Sequence, residues 1–325
     1  MASAFACRRT GWSAKPPARA GPSSPVGCSP TPAAQGVNDA RPTRLPTLAL
    51  FFGASVWGLY WLPLRALRDM GLSGGWSVVY FNFCPLLVLL PVLIRGHRTM
   101  LLHLRAALFI GAATGLALGL YSTSIVLGSV VRMTMEFYLT SVWSSIIGVL
   151  WLSERADLRR AVTVVAGLAG LLLLLSGGSG DPAASLGVAD VLAITSGVLW
   201  AFGAAGMKQW PDAHVAATTT FQFVFAVVGG AALQLAVLQG AVPSFGQLAA
   251  AFPVAFLAST LILLPSVYLI FWACRLLFPG RAAVLMMSEA LVAVLSATLL
   301  LPAETMTAQQ WAGGAIVLLA CLFGR

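Results

Sequence analysis

The sequence predicts an all-α integral membrane protein, with ten transmembrane helices arranged as two inverted five-helix repeats. Three observations predict it. The first is composition: of 325 residues, 59% are hydrophobic and only 9% charged, against about 25% charged in soluble domains. So few polar groups cannot cover a water-facing globule of this size. The second is a ladder of apolar runs after residue 45, each approaching the roughly 20 residues that cross about 30 Å of hydrocarbon. They are too long and too unalternating for barrel strands. The third is a likeness between the two halves of the ladder.

Taken in order, residues 1–44 are rich in Pro, Ser, Ala and Arg, with Asp39 as the one acid. Such a segment cannot bury a core, and a disordered basic tail is expected. Its composition also fits an organellar transit peptide, but without an apolar centre it is no secretory signal. The apolar runs fall at 46–67, 76–94, 106–127, 129–152, 161–176, 187–207, 214–238, 252–273, 281–301 and 310–323. The third and fourth are divided only at "GSVV", the ninth and tenth at "PAET". The expected domains are a first repeat over 45–176 and a second over 187–323.

Ten spans with the N-terminus inside put 16 of the 19 Lys and Arg residues on the inner side. Only Arg65, Arg68 and Arg132 fall toward the outside. This asymmetry predicts that both termini are cytoplasmic. The basic residues are scattered singly or sit in the tail. They form no patch with interleaved aromatics, so the net charge of +9 reads as membrane topology, with the bilayer and not nucleic acid as partner.

The halves align through two markers. "SVWGLYWLPLRAL" matches "GVLWAFGAAGMKQW", setting Trp57 against Trp200 and Arg65 against Lys208. "LWLSERADLRRAV" matches "LLLPAETMTAQQWAG", setting Glu154 against Glu304. Five spans per half is odd, so the second copy is inverted. Inverted repeats mark secondary transporters, whose sites lie near the midplane between the halves.

Polar groups at membrane depth need a physical reason. In "VVRMTMEFYLTSVW", Arg132 and Glu136 lie one turn apart on one helical face. One reading is an i,i+4 pair that neutralises itself, with the arginine snorkelling outward. The other is a lining of the substrate pathway. Glu289, about 12 Å from the inner end of its helix, has no basic residue three or four positions away. It must be protonated, find a partner on another helix, or face water. Trp57, Trp61 and Arg65 form a stripe on the first span, and Trp143 shares the face of Glu136. Asp190 opens the sixth span, where an acid suits a helix N-terminus. Gly111, Gly115 and Gly119 offer a close-packing face, expected between the third and fourth helices. Glu154 and Glu304, at helix ends, are expected to stabilise turns.

Five cysteines and three histidines show no metal-ligand spacing, so neither metal nor cofactor is expected. No HExxH, Walker or haem motif occurs. Without a phosphate-binding loop, the chain would not drive transport by hydrolysing ATP, and no enzymatic activity is expected.

The motifs "ASVWG", "VVRMTMEFYLTSVW" leading to "LSER", "FPGRAAVLMMSEALVAVLSA" leading to "PAET", and "WAGGAIVLLA" resemble the drug/metabolite transporter superfamily, EamA-type. The resemblance spans about residues 45–323. It implies a ten-helix inverted-repeat carrier that moves small metabolites or amino-acid-like compounds, often outward, in a bacterial inner membrane. Similar proteins usually carry the residues that stand here as Arg132, Phe137, Tyr138, Leu139 and Trp143, and a Glu matching Glu289. Relatives often carry Pro at Ser141, so its absence predicts a missing kink. They often carry an aliphatic residue at Glu136, so that acid is particular to this chain. The pathway candidates are therefore Arg132, Glu136, Trp143, Glu289, Trp57, Trp61 and Tyr138, with a small molecule and protons as occupants. The alternatives are a sugar or nucleotide-sugar carrier, which needs several cavity Lys, Arg or Asn residues where only Asn82 lies in a span, and a non-transporting accessory protein.

Overall fold

The structure, a computed structural model, describes residues 44–100, 102–152, 158–176, 186–277, 279–301 and 307–323. The expected tail therefore lies outside the described residues save Arg44, as do Glu154 and Glu304. Among the described residues every element is helical. Seven helices are long and apolar enough to cross a membrane. They are α1 (Arg44–Asp69), α2 (Trp76–Arg95), α3 (Leu104–Leu127), α4 (Val130–Leu150), α6 (Val188–Gln209), α7 (Val215–Leu238) and α8 (Phe245–Leu276). Three further apolar helices are described, α5 (Leu158–Ser176), α9 (Pro279–Leu300) and α10 (Ala308–Phe323), and a short one, His97–Met100, follows α2.

The helix ends follow local chemistry. After α1, Gly71 takes φ 97°, and the Leu72 N–H reaches back to the Leu67 carbonyl while Gly71 reaches Arg68. This left-handed cap ends the helix at low strain because glycine has no Cβ. The weak "GSVV" boundary is real: Gly128 is extended, and Ser129 Oγ caps α4 by accepting from the Arg132 N–H at 3.3 Å. α8 begins at Phe245, earlier than its apolar run at 252, because Ser244 and Gln247 form a reciprocal capping box.

Several helices are interrupted part-way along their length. α2 breaks at Pro85, which has no N–H to continue the ladder. α8 carries a π-helical stretch, Leu257–Leu263. α1 tightens between Trp57 and Trp61, where Leu59 and Tyr60 bond three residues back. α4 does the same without proline: Leu139 bonds to Glu136, Ser141 to Tyr138 and Val142 to Leu139. The regular helix is thus interrupted beside Ser141 by a tightened turn, although proline is absent there.

The helices of the two sequence halves interleave. α1 packs on α8 and α9; reciprocally, α6 packs on α3 and α4. α5 packs on α10, α2 on α7, and α4 on α9. Side chains tie the halves together: Ser266 Oγ donates to the Gly53 carbonyl at 2.6 Å, Tyr80 Oη to the Leu248 carbonyl at 2.8 Å, and Trp61 Nε1 to Ser296 Oγ at 3.0 Å. The glycine face of α3 is used, but its partner is corrected. A methyl at Gly111 or Gly115 would strike the α7 residues Phe221, Gln222 and Phe225, not α4. Sequence adjacency suggested α4, whereas the close backbone approach is made to a helix of the other half.

Candidate functional site

At the centre of the bundle lies a small cavity lined by Trp57, Leu118, Tyr121, Phe137, Trp200 and Glu289, with Ala117, Ile270 and Met286 filling the gaps. Its walls come from α1, α3 and α4 of the first half and α6, α8 and α9 of the second. The break in α1 falls beside it. Gly58 permits this, since a methyl there would meet the Glu289 carbonyl and the Val292 side chain on α9. About 10 Å³ is open to the centre of a water molecule, room for about one water.

Aromatic rings form a continuous wall. Trp57 and Trp200 stand edge to face with centroids 6.1 Å apart. Phe137 meets Trp200 at 6.2 Å and Tyr121 at 4.6 Å. Tyr60 stacks on Trp57 at 6.0 Å, and its hydroxyl accepts from Ser122 at 2.9 Å and Asn82 at 3.1 Å. Asn82 thus serves a tyrosine rather than the cavity.

Glu289 is 3% exposed. Tyr138 Oη approaches its Oε2 at 3.3 Å and also donates to the Met286 carbonyl at 2.9 Å. The tyrosine is carried by the tightened turn of α4, which aims it across at α9. Glu289 Oε1 is buried with no hydrogen-bond partner, and among the described residues no cation pairs with this carboxylate.

Arg132 and Glu136 belong to a different cluster. Arg132 Nε lies 3.0 Å from Glu136 Oε1 and 2.8 Å from Asp190 Oδ1 on α6. Asp190 also accepts from the Gly187 N–H through Oδ2 at 2.7 Å. It therefore caps its helix, as the sequence suggested, and joins α6 to α4 as well. Glu136 is fully buried. Nearby, Arg65 and Arg68 of α1 donate to the carbonyls of Gly128 and Val126 at 3.3 and 2.7 Å. The three arginines assigned to one side by sequence do gather at one end of the bundle, around the α3–α4 turn.

Of the sequence candidates, the structure brings Trp57, Glu289 and Tyr138 together and sets Arg132 and Glu136 apart. Trp61 is buried beside α9, with Arg65 over its ring at 5.9 Å; Trp143 packs against Ile147, Ala201 and Ala205. Neither lines the cavity. Trp200, Tyr121 and Asp190 were not among the candidates, although the alignment of Trp57 with Trp200 carried a signal for the first. Gly71–Gly75 happens to fit G-x-S-x-G, but it is the turn between two helices rather than the strand-to-helix elbow of a hydrolase.

The apolar helices define an integral membrane protein. Residues 45–176 match the model of the EamA-like transporter family, a match consistent with the drug/metabolite transporter superfamily that the motifs resemble. A solved structure titled only "Crystal structure of protein" is similar in fold, with a TM-score of 0.51 at 14% identity, covering 86% of this chain and 95% of its own. Among curated proteins nothing matches.

Proposed function

We propose that the chain is a secondary transporter of small metabolites, working outward by alternating access, with ten spans in two inverted halves, 45–176 and 187–323. The observation that carries the reading is Glu289: a buried carboxylate that no cation pairs with among the described residues, in a cavity to which both halves contribute. Such a group is costly in a membrane unless function uses it. The reciprocal packing of α1 on α8 and α9, and of α6 on α3 and α4, supports an inverted repeat. So does the meeting of the aligned Trp57 and Trp200 across the cavity.

The cavity is too small for a metabolite, so the halves must separate to admit one. The Arg132–Asp190 contact joins α4 to α6 and is a bond that opening at that end breaks. Glu289 is the site of the substrate or of a coupling proton, and Tyr138 holds it. The distribution of basic residues supports cytoplasmic termini in a bacterial inner membrane. Among the described residues the cavity lining offers no Lys, Arg or Asn, which tells against a sugar or nucleotide-sugar carrier. Counterflow in proteoliposomes tests the reading. Accumulation of a labelled metabolite against an unlabelled internal pool is expected. Its absence for folded, inserted protein across a broad metabolite panel would leave the accessory role.

A further inference from the structure

The geometry points to a substrate class: organic amines that carry one positive charge and an apolar body, and no carboxylate. This rests on the transporter reading above and narrows it. The argument begins with what the cavity can recognise. Among the described residues its lining holds one carboxylate, Glu289, which is buried and has Oε1 unpartnered. A buried charge needs a counter-charge or a proton. Among the described residues the protein supplies no counter-charge, so the occupant must bring one. An ammonium group supplies it with N–H donors for the empty oxygen.

The walls fit the same ligand. Trp57, Trp200, Tyr121 and Phe137 line the same cavity as the carboxylate, and the faces of such rings attract cations, most strongly once water is excluded. The aromatic and aliphatic lining also covers an apolar body. Tyr138 already bonds to the other oxygen of Glu289, which fixes the carboxylate and leaves Oε1 as the open position.

The cavity equally selects against amino acids. A zwitterion would bring a carboxylate into a pocket with no guanidinium or ammonium in its lining. Arg132 is the basic residue that the sequence offered for that task. It does not line the cavity, and its Nε faces both Glu136 and Asp190, at 3.0 and 2.8 Å. Its charge is already answered twice over. An incoming carboxylate would lie buried beside Glu289, where like charges repel.

Four probes of one shape separate the charges: 2-phenylethylamine, phenylalanine, 3-phenylpropionate and 2-phenylethanol. Binding is measured by calorimetry on the full chain in lipid nanodiscs, with empty nanodiscs subtracting partition into lipid. Counterflow of each labelled probe is measured in proteoliposomes. The amine is expected to bind at least roughly tenfold more tightly than each of the other three. Glu289→Gln should lose about tenfold or more in amine affinity. Trp57→Leu or Trp200→Leu should each lose about 2- to 30-fold for the amine, and less for the alcohol, as cation–π contacts of this strength imply. Phenylalanine or phenylpropionate binding as well as the amine would overturn the proposal, and so would failure of folded protein to bind the amine. The parent chain alone decides this, whatever the variants do to folding. Amine binding without counterflow would keep the amine site and remove the transporter reading. Counterflow of the zwitterion or anion in preference to the amine would do the reverse.

Discussion

Arg132→Met is expected to be among the most destabilising single changes in the membrane region. The guanidinium Nε stands 3.0 Å from Glu136 Oε1 and 2.8 Å from Asp190 Oδ1. At an effective dielectric of about 20, each contact is worth roughly 5–6 kcal/mol before desolvation, and desolvation cancels much of it. Removing the arginine leaves two buried carboxylates without a counter-charge, and breaking a buried pair in this way costs about 3–5 kcal/mol. Removing one acid is different. Glu136→Gln or Asp190→Asn leaves one cation with one anion, and the amide oxygen at 190 can still accept the Gly187 N–H. Each should cost about 1 kcal/mol. Removing both acids strands the guanidinium and should again cost about 3–5 kcal/mol, while adding Arg132→Met to that pair should recover much of the loss. The assay is thermal unfolding of purified protein in one detergent. At roughly 2–4 °C per kcal/mol, the severe variants should fall by on the order of 10 °C and the mild ones by a few degrees. An unchanged Tm for Arg132→Met would refute this reasoning, as would an acid pair whose loss is merely the sum of two small ones.

Gly115→Leu should lower the yield of folded protein, because its side chain would enter the Gln222 backbone and Phe225 on α7; normal thermal stability would mean that the face is open. Reporter fusions should read inside after Gly96 and outside after Gly240, and the reverse at either site would overturn the proposed topology. Glu289→Gln should insert and fold yet lose flux driven by a pH gradient; parental flux under the same gradient would assign Glu289 a structural role. Tyr138→Phe removes one donor to Glu289 and should slow flux by about 2- to 10-fold, the size of one hydrogen bond, with unaltered flux counting against a positioning role.

Much of the fold was legible because a membrane imposes a length. An apolar run near 20 residues announces its helix, and the boundaries at Leu127, Val130 and Ser176 follow. What failed was finer. The start of α8 was hidden because Ser244 and Gln247 form a cap seven residues before the apolar run begins. The breaks at Gly58 and Leu139 are single tightened turns with no proline at the pivot, so composition does not register them. The glycine face of α3 was visible as a face, since spacing reveals which residues are neighbours on a helix. Spacing cannot say which helix lies opposite, and the partner proved to be α7.

The site divides along the same line. Glu289 was legible because its own helix offers no cation, and that local fact survives folding. Arg132 and Glu136 were legible as a pair for the same reason. Asp190 was not, because its contact with Arg132 closes a span of 58 residues that no helical period connects. That third member changes the chemistry. Exchanging Arg132 with Glu136 would set a carboxylate against Asp190, so failure of the exchanged protein could come from repulsion and would not by itself argue for substrate recognition. Two buried glutamates thus differ in use for a reason outside either residue. Glu136 shares a cation with Asp190 and helps to hold α4 and α6 together at one end of the bundle. Glu289 shares a cavity with aromatic rings and meets the Tyr138 hydroxyl, and among the described residues its Oε1 has no partner, so that oxygen is the one proposed for an occupant of the cavity.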